Sequence, residues 1–412
     1  MRTLLSYESF AGFAGTETYI LTVARELERL GHEVAIYTPN PGPIAEVARE
    51  QGLRVVGRTE LPDDCDAIFA NDAATCYELT QLVQCRARVF VAHSIDHALQ
   101  YVPQLPQACD SAVVMNDRVG RWMRAQARHP PIERLRQPIE LGRFLDLGAP
   151  RPRARRVLVS TNYLDGPRAR LIERACSACG LELDWIGMKS RSTSTPERAL
   201  ADADIVIGLG RTALEAMAAG RAVYVYGQLG GDGWVTPASY PRMEADGFAG
   251  MTSGRALDAE ALAAELGECS PDMGEANRDL ACAHHSSRAA VTGLVELARR
   301  IGAEDASAPP VPAPVHELSR LVRLEWLARA RASTAVREAD YWRAELDRLT
   351  SERERLVAEL AAEREHGRRL EERAEEAERW LANVLATRRW QLMCRIARPA
   401  DVLRLLAGRG RR

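Results

Sequence analysis

Hydrophobic positions in the first three hundred residues follow two rhythms. Short continuous apolar runs at 4–7, 34–37, 53–56, 67–70, 88–92 and 111–115 are bounded by turn residues. They are too short for helices and predict strands covered on both faces. Between the first two, Ile20, Val23, Ala24, Leu27 and Leu30 recur at helical spacing, which predicts a helix over 17–30 ended by Gly31. Residues 9–15 form a Gly/Ala loop between strand and helix. The alternation pauses at Arg136-Gln-Pro-Ile-Glu-Leu-Gly-Arg-Phe144, with Gly148 and Pro150 behind it. It then resumes with strands at 157–160, 183–186, 204–207 and 222–226 and helices at 168–178, 196–201, 212–219, 259–266 and 275–301. Alternating strand and helix predicts the α/β class, with mostly parallel sheets. The pause divides two domains, 1–148 and 149–302.

Beyond residue 302 the rhythm changes. Residues 303–315 form a Pro/Ala linker, in which the prolines of Ala308-Pro-Pro-Val-Pro-Ala-Pro-Val315 remove amide donors and hold it extended. A charge-dense helix is predicted over 316–385. Its seam runs Leu346, Leu349, Arg353, Leu356, Leu360, Glu363, Gly367, Leu370, Ala374, Ala377, Leu381, Val384. Nine of these twelve are apolar, so a coiled coil that makes a homo-oligomer through 335–385 is expected. A lone solvated helix laced with ion pairs is the alternative. Residues 386–412 are a basic amphipathic tail, with eight arginines from Arg388 to Arg412 against the single acid Asp401. Trp390, Leu392, Met393 and Ile396 lie among them, ahead of Pro399. Apolar contact combined with arginines suits an anionic membrane surface. Docking of the apolar side on protein is the competing use.

Charge narrows the partners. The net charge of −2 over 412 residues gives no ground for nucleic-acid binding. Nine scattered cysteines, an odd number, favour free thiols in a reducing compartment. Cys176 and Cys179 are one C-x-x-C late in a helix with no second pair, so they read as helix cysteines and no metal site is expected. Met1 leads straight into a strand, and no apolar run approaches the ~20 residues that cross a bilayer. The expected location is the cytoplasm, on the inner membrane face where the tail engages. Lys189 is the single lysine among 55 basic side chains, which reflects compositional bias and also singles it out as a candidate cation.

The chemistry concentrates in Asp204-Ile-Val-Ile-Gly-Leu-Gly-Arg-Thr-Ala-Leu-Glu215 and the helix and strand after it. A strand enters a loop with Gly208 and Gly210, and a helix starts near Thr212. Its first amides lack partners and its dipole end is positive, so it attracts phosphate. Glu215 lies one turn inside, where a carboxylate can accept two hydrogen bonds from a ribose. Thr212-Ala-Leu-Glu215 also reads as a capping box with Glu215 at its third position, and both readings stand. Arg211 is placed to fork onto a diphosphate or to lie solvated on the surface.

This stretch resembles the nucleotide-sugar half-site of GT-B glycosyltransferases, especially the family-4-like group. Gly15-Thr-Glu-Thr-Tyr19 with the helix behind it resembles that family's opening loop and helix. Val91-Ala-His-Ser94 resembles its strand ending in a cleft histidine, residues 137–144 its interdomain segment, and residues 277–301 its returning last helix. The likeness covers about residues 1–300. It implies two Rossmann-like domains facing a cleft, with a nucleotide-sugar as substrate and no cofactor. It implies that Glu215 holds the ribose and that His93 contacts the transferred sugar, making His93 the candidate catalytic residue. Asp96 and His97 are candidates for acceptor contact. Gly15 either lets phosphate or acceptor approach the backbone or supplies a turn needing positive φ. A dinucleotide reading of the Gly12/Gly15 loop is disfavoured, because the second strand ends Tyr37-Thr-Pro-Asn40 without the acid a ribose would need.

Two departures from the family pattern matter. Ile207 stands where the family usually has a second glutamate, and Val159-Ser-Thr-Asn-Tyr-Leu-Asp-Gly166 lacks the usual Arg and Lys. Diphosphate binding then falls to Arg211, Lys189, Gly210 and Thr212, with Thr161 and Asn162 as neutral donors. The expected function is transfer of a sugar to a glycan or lipid-linked acceptor, in surface or extracellular polysaccharide synthesis. The departures also allow a catalytically inactive GT-B binding protein that assembles partners at a membrane through its coil and tail.

Overall fold

A computed structural model describes residues 1–303 except 13, 96, 106, 162, 163, 165 and 188–194, together with 315, 317–329, 332, 376, 378, 379, 382 and 383. The heptad seam, the basic tail, Asp96, Asn162 and Lys189 lie outside the described residues. The chain divides into two units, 1–322 and 323–412.

The first unit opens with strands β1 (Arg2–Ser6) and β2 (Ser9–Phe10), helix α1 (Gly15–Arg29), β3 (Glu33–Tyr37), β4 (Asn40–Pro41) and α2 (Pro43–Glu50). Then come β5 (Val55–Val56), β6 (Asp64–Ala70), α3 (Ala73–Leu82), β7 (Gln84–Ala92), β8 (Ser111–Val114), α4 (Asp117–Arg124) and β9 (Ile132–Arg134). Seven of these strands form one parallel sheet in the order β5-β3-β1-β6-β7-β8-β9. Successive side chains of a strand face opposite ways. Leu5, Ile36, Phe69 and Val89 therefore pack with Ile20, Val23 and Leu27 of α1, while Leu4, Tyr37, Ile68 and Phe90 pack on the other face. The strand order reverses beside β1, which places a crevice at the carboxyl ends of β1 and β6.

A second sheet contains β10 (Arg156–Ser160), β11 (Glu182–Ile186), β12 (Ile205–Gly208), β13 (Ala222–Gly227) and β14 (Gly230–Trp234), in the order β11-β10-β12-β13-β14. Its helices are α5 (Gly166–Ala178), α6 (Pro196–Asp202), α7 (Arg211–Ala218), α8 (Tyr240–Asp246), α9 (Ala259–Leu266) and α10 (Pro271–His284). The last strand pairs antiparallel with β13. Its Gly-Gly-Asp-Gly-Trp sequence has no apolar run, so the hydrophobic pattern gives no sign of it. The reversal of order here falls at β10 and β12.

One expected element is corrected. The apolar periodicity of 275–301 predicts a single helix, but the chain forms α10 and then α11 (Ser287–Ala303). The break at His285 and Ser286 is made by tertiary hydrogen bonds. Ile139 donates its amide to the His285 carbonyl at 2.8 Å and accepts from the Ser287 amide at 3.1 Å. His285 Nδ1 meets the Gln137 carbonyl and Nε2 meets the Tyr240 hydroxyl, each at 2.9 Å. Burial pushes the His285 pKa down to about 4, so the ring is neutral there. Side-chain spacing carries no trace of a backbone interruption of this kind. Beyond it α11 returns to the first sheet, burying Val291, Leu294, Val295 and Leu297 in the α1 core.

The eight described cysteines are free thiols; Cys176 is buried in α5 and Cys179 Sγ lies 3.1 Å from the Ala263 carbonyl. Among the described residues no cluster of His, Cys, Asp and Glu is arranged to hold a metal, and no helix is long and apolar enough to cross a membrane.

Candidate functional site

The sequence Gly208-Leu-Gly210 makes the turn from β12 into α7. A side chain at Gly208 would collide with Thr212 and crowd the Ser160 carbonyl, and Gly210 sits at φ +55. Both glycines are needed for α7 to start so close to the strand. Gly210 is the N-cap and carries no side-chain cap. Its own amide donates to the Phe248 carbonyl at 2.9 Å. The amides of Arg211, Thr212 and Ala213 come next, ahead of the first intrahelical bond, and so form the donor-rich end of the helix.

The capping-box alternative is corrected by this geometry. With Gly210 as N-cap, Glu215 stands at the fifth helical position, beyond reach of the cap, and Thr212 caps nothing. Thr212 Oγ1 instead lies 3.5 Å from Ser160 Oγ. Glu215 accepts a 2.7 Å bond from Arg211 Nε through Oε1, one turn away on the same helix. Both side chains are buried.

Arg211 is neither a solvated surface residue nor an outward fork. Its Nη1 donates to the Pro138 carbonyl at 3.1 Å and its Nη2 to Thr22 Oγ1 at 2.9 Å. One guanidinium thus ties α7 to the connecting segment and to α1 of the first domain. Burial pulls its pKa below the usual arginine range, while Glu215 opposes that pull. Arg118 and Arg134 of the first domain also pair with Asp246 and Glu244 of the second, while Glu140 of the connecting segment pairs with Arg25 and Arg29 and Ser287 Oγ donates to Glu26.

The Arg211 charge also acts on His93. The imidazole follows β7 directly, half-buried, with Tyr19 edge-on at 4.7 Å between ring centres. Burial, then the Arg211 charge, pushes its pKa down to about 3. Its tautomer follows from its partner. Asn71 Nδ2 donates to the Ser6 and Phe69 carbonyls, so Asn71 Oδ1 is the acceptor of the 2.8 Å bond with His93 Nε2. The proton is therefore on Nε2, and Nδ1 carries the lone pair.

Gly15 is not a turn glycine. It is the first residue of α1, its φ is not positive, and a Cβ there would meet no atom within 4 Å. The space before its backbone is open.

Two sheets with their carboxyl edges turned to a shared cleft, joined by a hinge and a returning last helix, decide the architecture. The fold is GT-B. HepE of Anabaena, solved with UDP and glucose, aligns at 12% identity over 73% of this chain and 100% of its own, with a TM-score of 0.50. The pneumococcal O-GlcNAc transferase GtfA, solved with UDP and GlcNAc, aligns at 9% identity over 74% of this chain and 99% of its own, with a TM-score of 0.51. No family model and no curated protein sequence matches the chain.

The structure thus pairs Arg211 with Glu215 and sets the Arg211 charge near His93, with Gly210 and Thr212 at the start of α7 and Gly15 at the start of α1. His97 is exposed beyond β7. Sequence reasoning missed several residues that build this cleft. Thr22 and Asn71 orient Arg211 and His93, and nothing in their local sequence marks them, because their partners are 189 and 22 residues away. Arg168 was also missed. It lies in the first turn of α5, where its Nη1 donates to Tyr226 Oη at 2.6 Å and its guanidinium covers the Tyr226 ring. The segment after β10 that lacks the family's usual basic pair is followed, two residues past Gly166, by this cation.

Proposed function

We propose that this chain is a glycosyltransferase that binds a nucleotide-sugar between its two domains and transfers the sugar to a glycan or lipid-linked acceptor. The observation that carries the reading is the uncapped start of α7, with the buried Glu215 carboxylate one turn inside. The free amides suit a diphosphate, and Glu215 Oε2, which takes no protein hydrogen bond among the described residues, suits ribose hydroxyls. Fixed amides stabilise the departing diphosphate without reorganising, and closure of the domains excludes water. His93 stays neutral at physiological pH, so it meets the sugar as a hydrogen-bonding group and not as a cation. Lys189, Asn162 and Thr161 complete the donor side in this reading. Arg211 acts on the donor through Glu215, whose carboxylate it orients.

Glycosyl transfer is supported by the similar structures, HepE solved with UDP and glucose and GtfA with UDP and GlcNAc. Calorimetry with UDP-, GDP-, dTDP- and CMP-sugars tests the reading. Glu215→Gln should weaken the best binder by about 1.5–3 kcal/mol, more than tenfold. Unchanged affinity would remove Glu215 from the donor site.

The acceptor is read as surface or extracellular polysaccharide on the strength of the extension. We place the protein on the inner face of the membrane, oligomeric through 335–385 and attached through 388–412. Removing residues from 335 onward should yield a monomer in sedimentation. Removing 388–412 alone should abolish flotation with anionic liposomes and keep the oligomer.

A further inference from the structure

Four of the described cysteines form two thiol pairs that the function above does not use. Cys65 of β6 stands directly opposite Cys85 of β7 in the parallel register. Both side chains lie on the α3 side of the first sheet, Cys65 in the core and Cys85 packed against it. Paired residues on neighbouring strands have Cα atoms about 4.8 Å apart, and a disulfide spans roughly 4.4–6.8 Å between them. Register and face therefore suit a bond between these two sulfurs without a strand slipping. The other pair is Cys76 of α3 with Cys109, just ahead of β8.

Access separates the pairs. Cys76 and Cys109 are both buried, so a reagent has no way to either sulfur. Cys65 is buried too, but Cys85 is half-buried at the amino edge of the sheet. The Cys65 thiol donates to the Cys85 sulfur. That bond lowers the Cys85 pKa, with the Ala87 amide and the Arg88 charge acting the same way and burial opposing them. The same bond, then burial, raises the Cys65 pKa. Arg88 is steadied by donating from Nη2 to the Val83 carbonyl at 3.3 Å. The reachable sulfur is thus the one favoured as thiolate, and a shielded second thiol lies behind it.

We infer that Cys65 and Cys85 are a modification site, at which a small-molecule disulfide such as glutathione disulfide converts the two thiols into a cross-strand disulfide. The Cys85 thiolate attacks one sulfur of the reagent, forming a mixed disulfide and releasing one glutathione thiolate. Cys65 then attacks the Cys85 sulfur, the bond to the second glutathione breaks, and that glutathione leaves. Two protein thiols lose two electrons, and one reagent disulfide becomes two thiols that take up the two protons. The link closes residues 65–85, the segment that holds α3. At the carboxyl ends of the same two strands Asn71 already bonds His93, so oxidation fastens β6 and β7 at both ends. The inference stands independently of the glycosyl-transfer reading.

The test uses the full chain, reduced and then incubated with glutathione disulfide at neutral pH. Remaining thiols are alkylated, and the protein is cut after arginine and glutamate for mass spectrometry. Cleavage at Glu78 separates Cys85 from Cys65 and Cys76, and fragment ions tell the last two apart. The Cys65–Cys85 link should form while Cys76 and Cys109 stay reduced, and it should raise Tm by on the order of 5 °C. Dithiothreitol should reverse both changes. Cys65→Ser should stop at a glutathione adduct on Cys85, and Cys85→Ser should leave Cys65 reduced. A wild type that keeps the adduct on Cys85 and forms no link overturns the inference. So does one in which exposed Cys282 reacts while Cys65 and Cys85 stay reduced. A link that forms only in urea overturns it too, since the folded strands would then not present the pair. These wild-type outcomes decide the matter even where a serine variant fails to fold.

Discussion

The starts of α1 and α7 stand in matching places, each after a strand at the reversal of its sheet. Each lacks a side-chain cap, and each holds a buried glutamate near its beginning. The difference lies in what surrounds the carboxylate. Glu215 has Arg211 at 2.7 Å, whereas Glu17 has only backbone amides. At α7 the Arg211 that pairs with Glu215 also joins the domains through Pro138 and Thr22. The lone group at α1 changes its protonation instead. Burial alone therefore does not decide what a buried acid does; the partners within reach of its carboxylate do.

The largest effect should come from breaking the pair. Arg211→Met removes the bonds to Glu215, Pro138 and Thr22 and leaves a buried carboxylate alone. A loss of about 3–5 kcal/mol is expected, measured by urea unfolding. The double variant Arg211→Met/Glu215→Met should recover much of it, because an apolar pair leaves no stranded charge.

The next effect reads the unpaired group through pH. The Glu17 pKa rises from 4.5 to about 7 on folding. The folded state then holds a proton that the unfolded state has released. Stability from this group is fully present below pH 4.5 and is lost as pH rises through about 7, by on the order of 3 kcal/mol. His285 and His93 act in the opposite sense. Their pKa values fall to about 4 and about 3, so their contribution is present above about pH 6.5 and lost as pH falls through those values. Subtracting the Glu17→Gln stability curve from that of the wild type isolates the first effect. A flat difference between pH 4 and 8 would show that Glu17 is not desolvated.

The smallest effect separates the two glycines. Gly210→Ala forces a side chain into φ +55 and should cost about 1–2 kcal/mol. Gly15→Ala meets open space at the first position of a helix and should stabilise by roughly 0.4–1 kcal/mol. If Gly15→Ala keeps its stability and loses turnover, a ligand comes to that backbone.

The sheets were legible because buried parallel strands write continuous apolar runs, and most of the α1 stripe marks its core face. His93 was legible as a strand end, and the α7 loop as glycines ahead of a helix. Other features left no local mark. The roles of Thr22 and Asn71 depend on partners distant in the chain, and the break at His285 is set by hydrogen bonds from residues 137 and 139. The placement of Glu215 failed by two positions, because Thr212 imitates a cap while Gly210, whose φ no propensity reveals, occupies that place.

The returning helix α11 has a consequence for how the chain is made. Val291, Leu294, Val295 and Leu297 complete the core around α1, each worth about 1.5–3 kcal/mol of burial. The second domain is therefore an insertion between two parts of the first, its ends pinned together where Ile139 pairs with Ser286. On the ribosome α1 emerges well before the helix that completes its core. The inserted domain has all its strands before α11 appears, so it is able to fold first. The order of synthesis and the order of completion are reversed, and the exposed α1 face during that interval is where a chaperone would be needed.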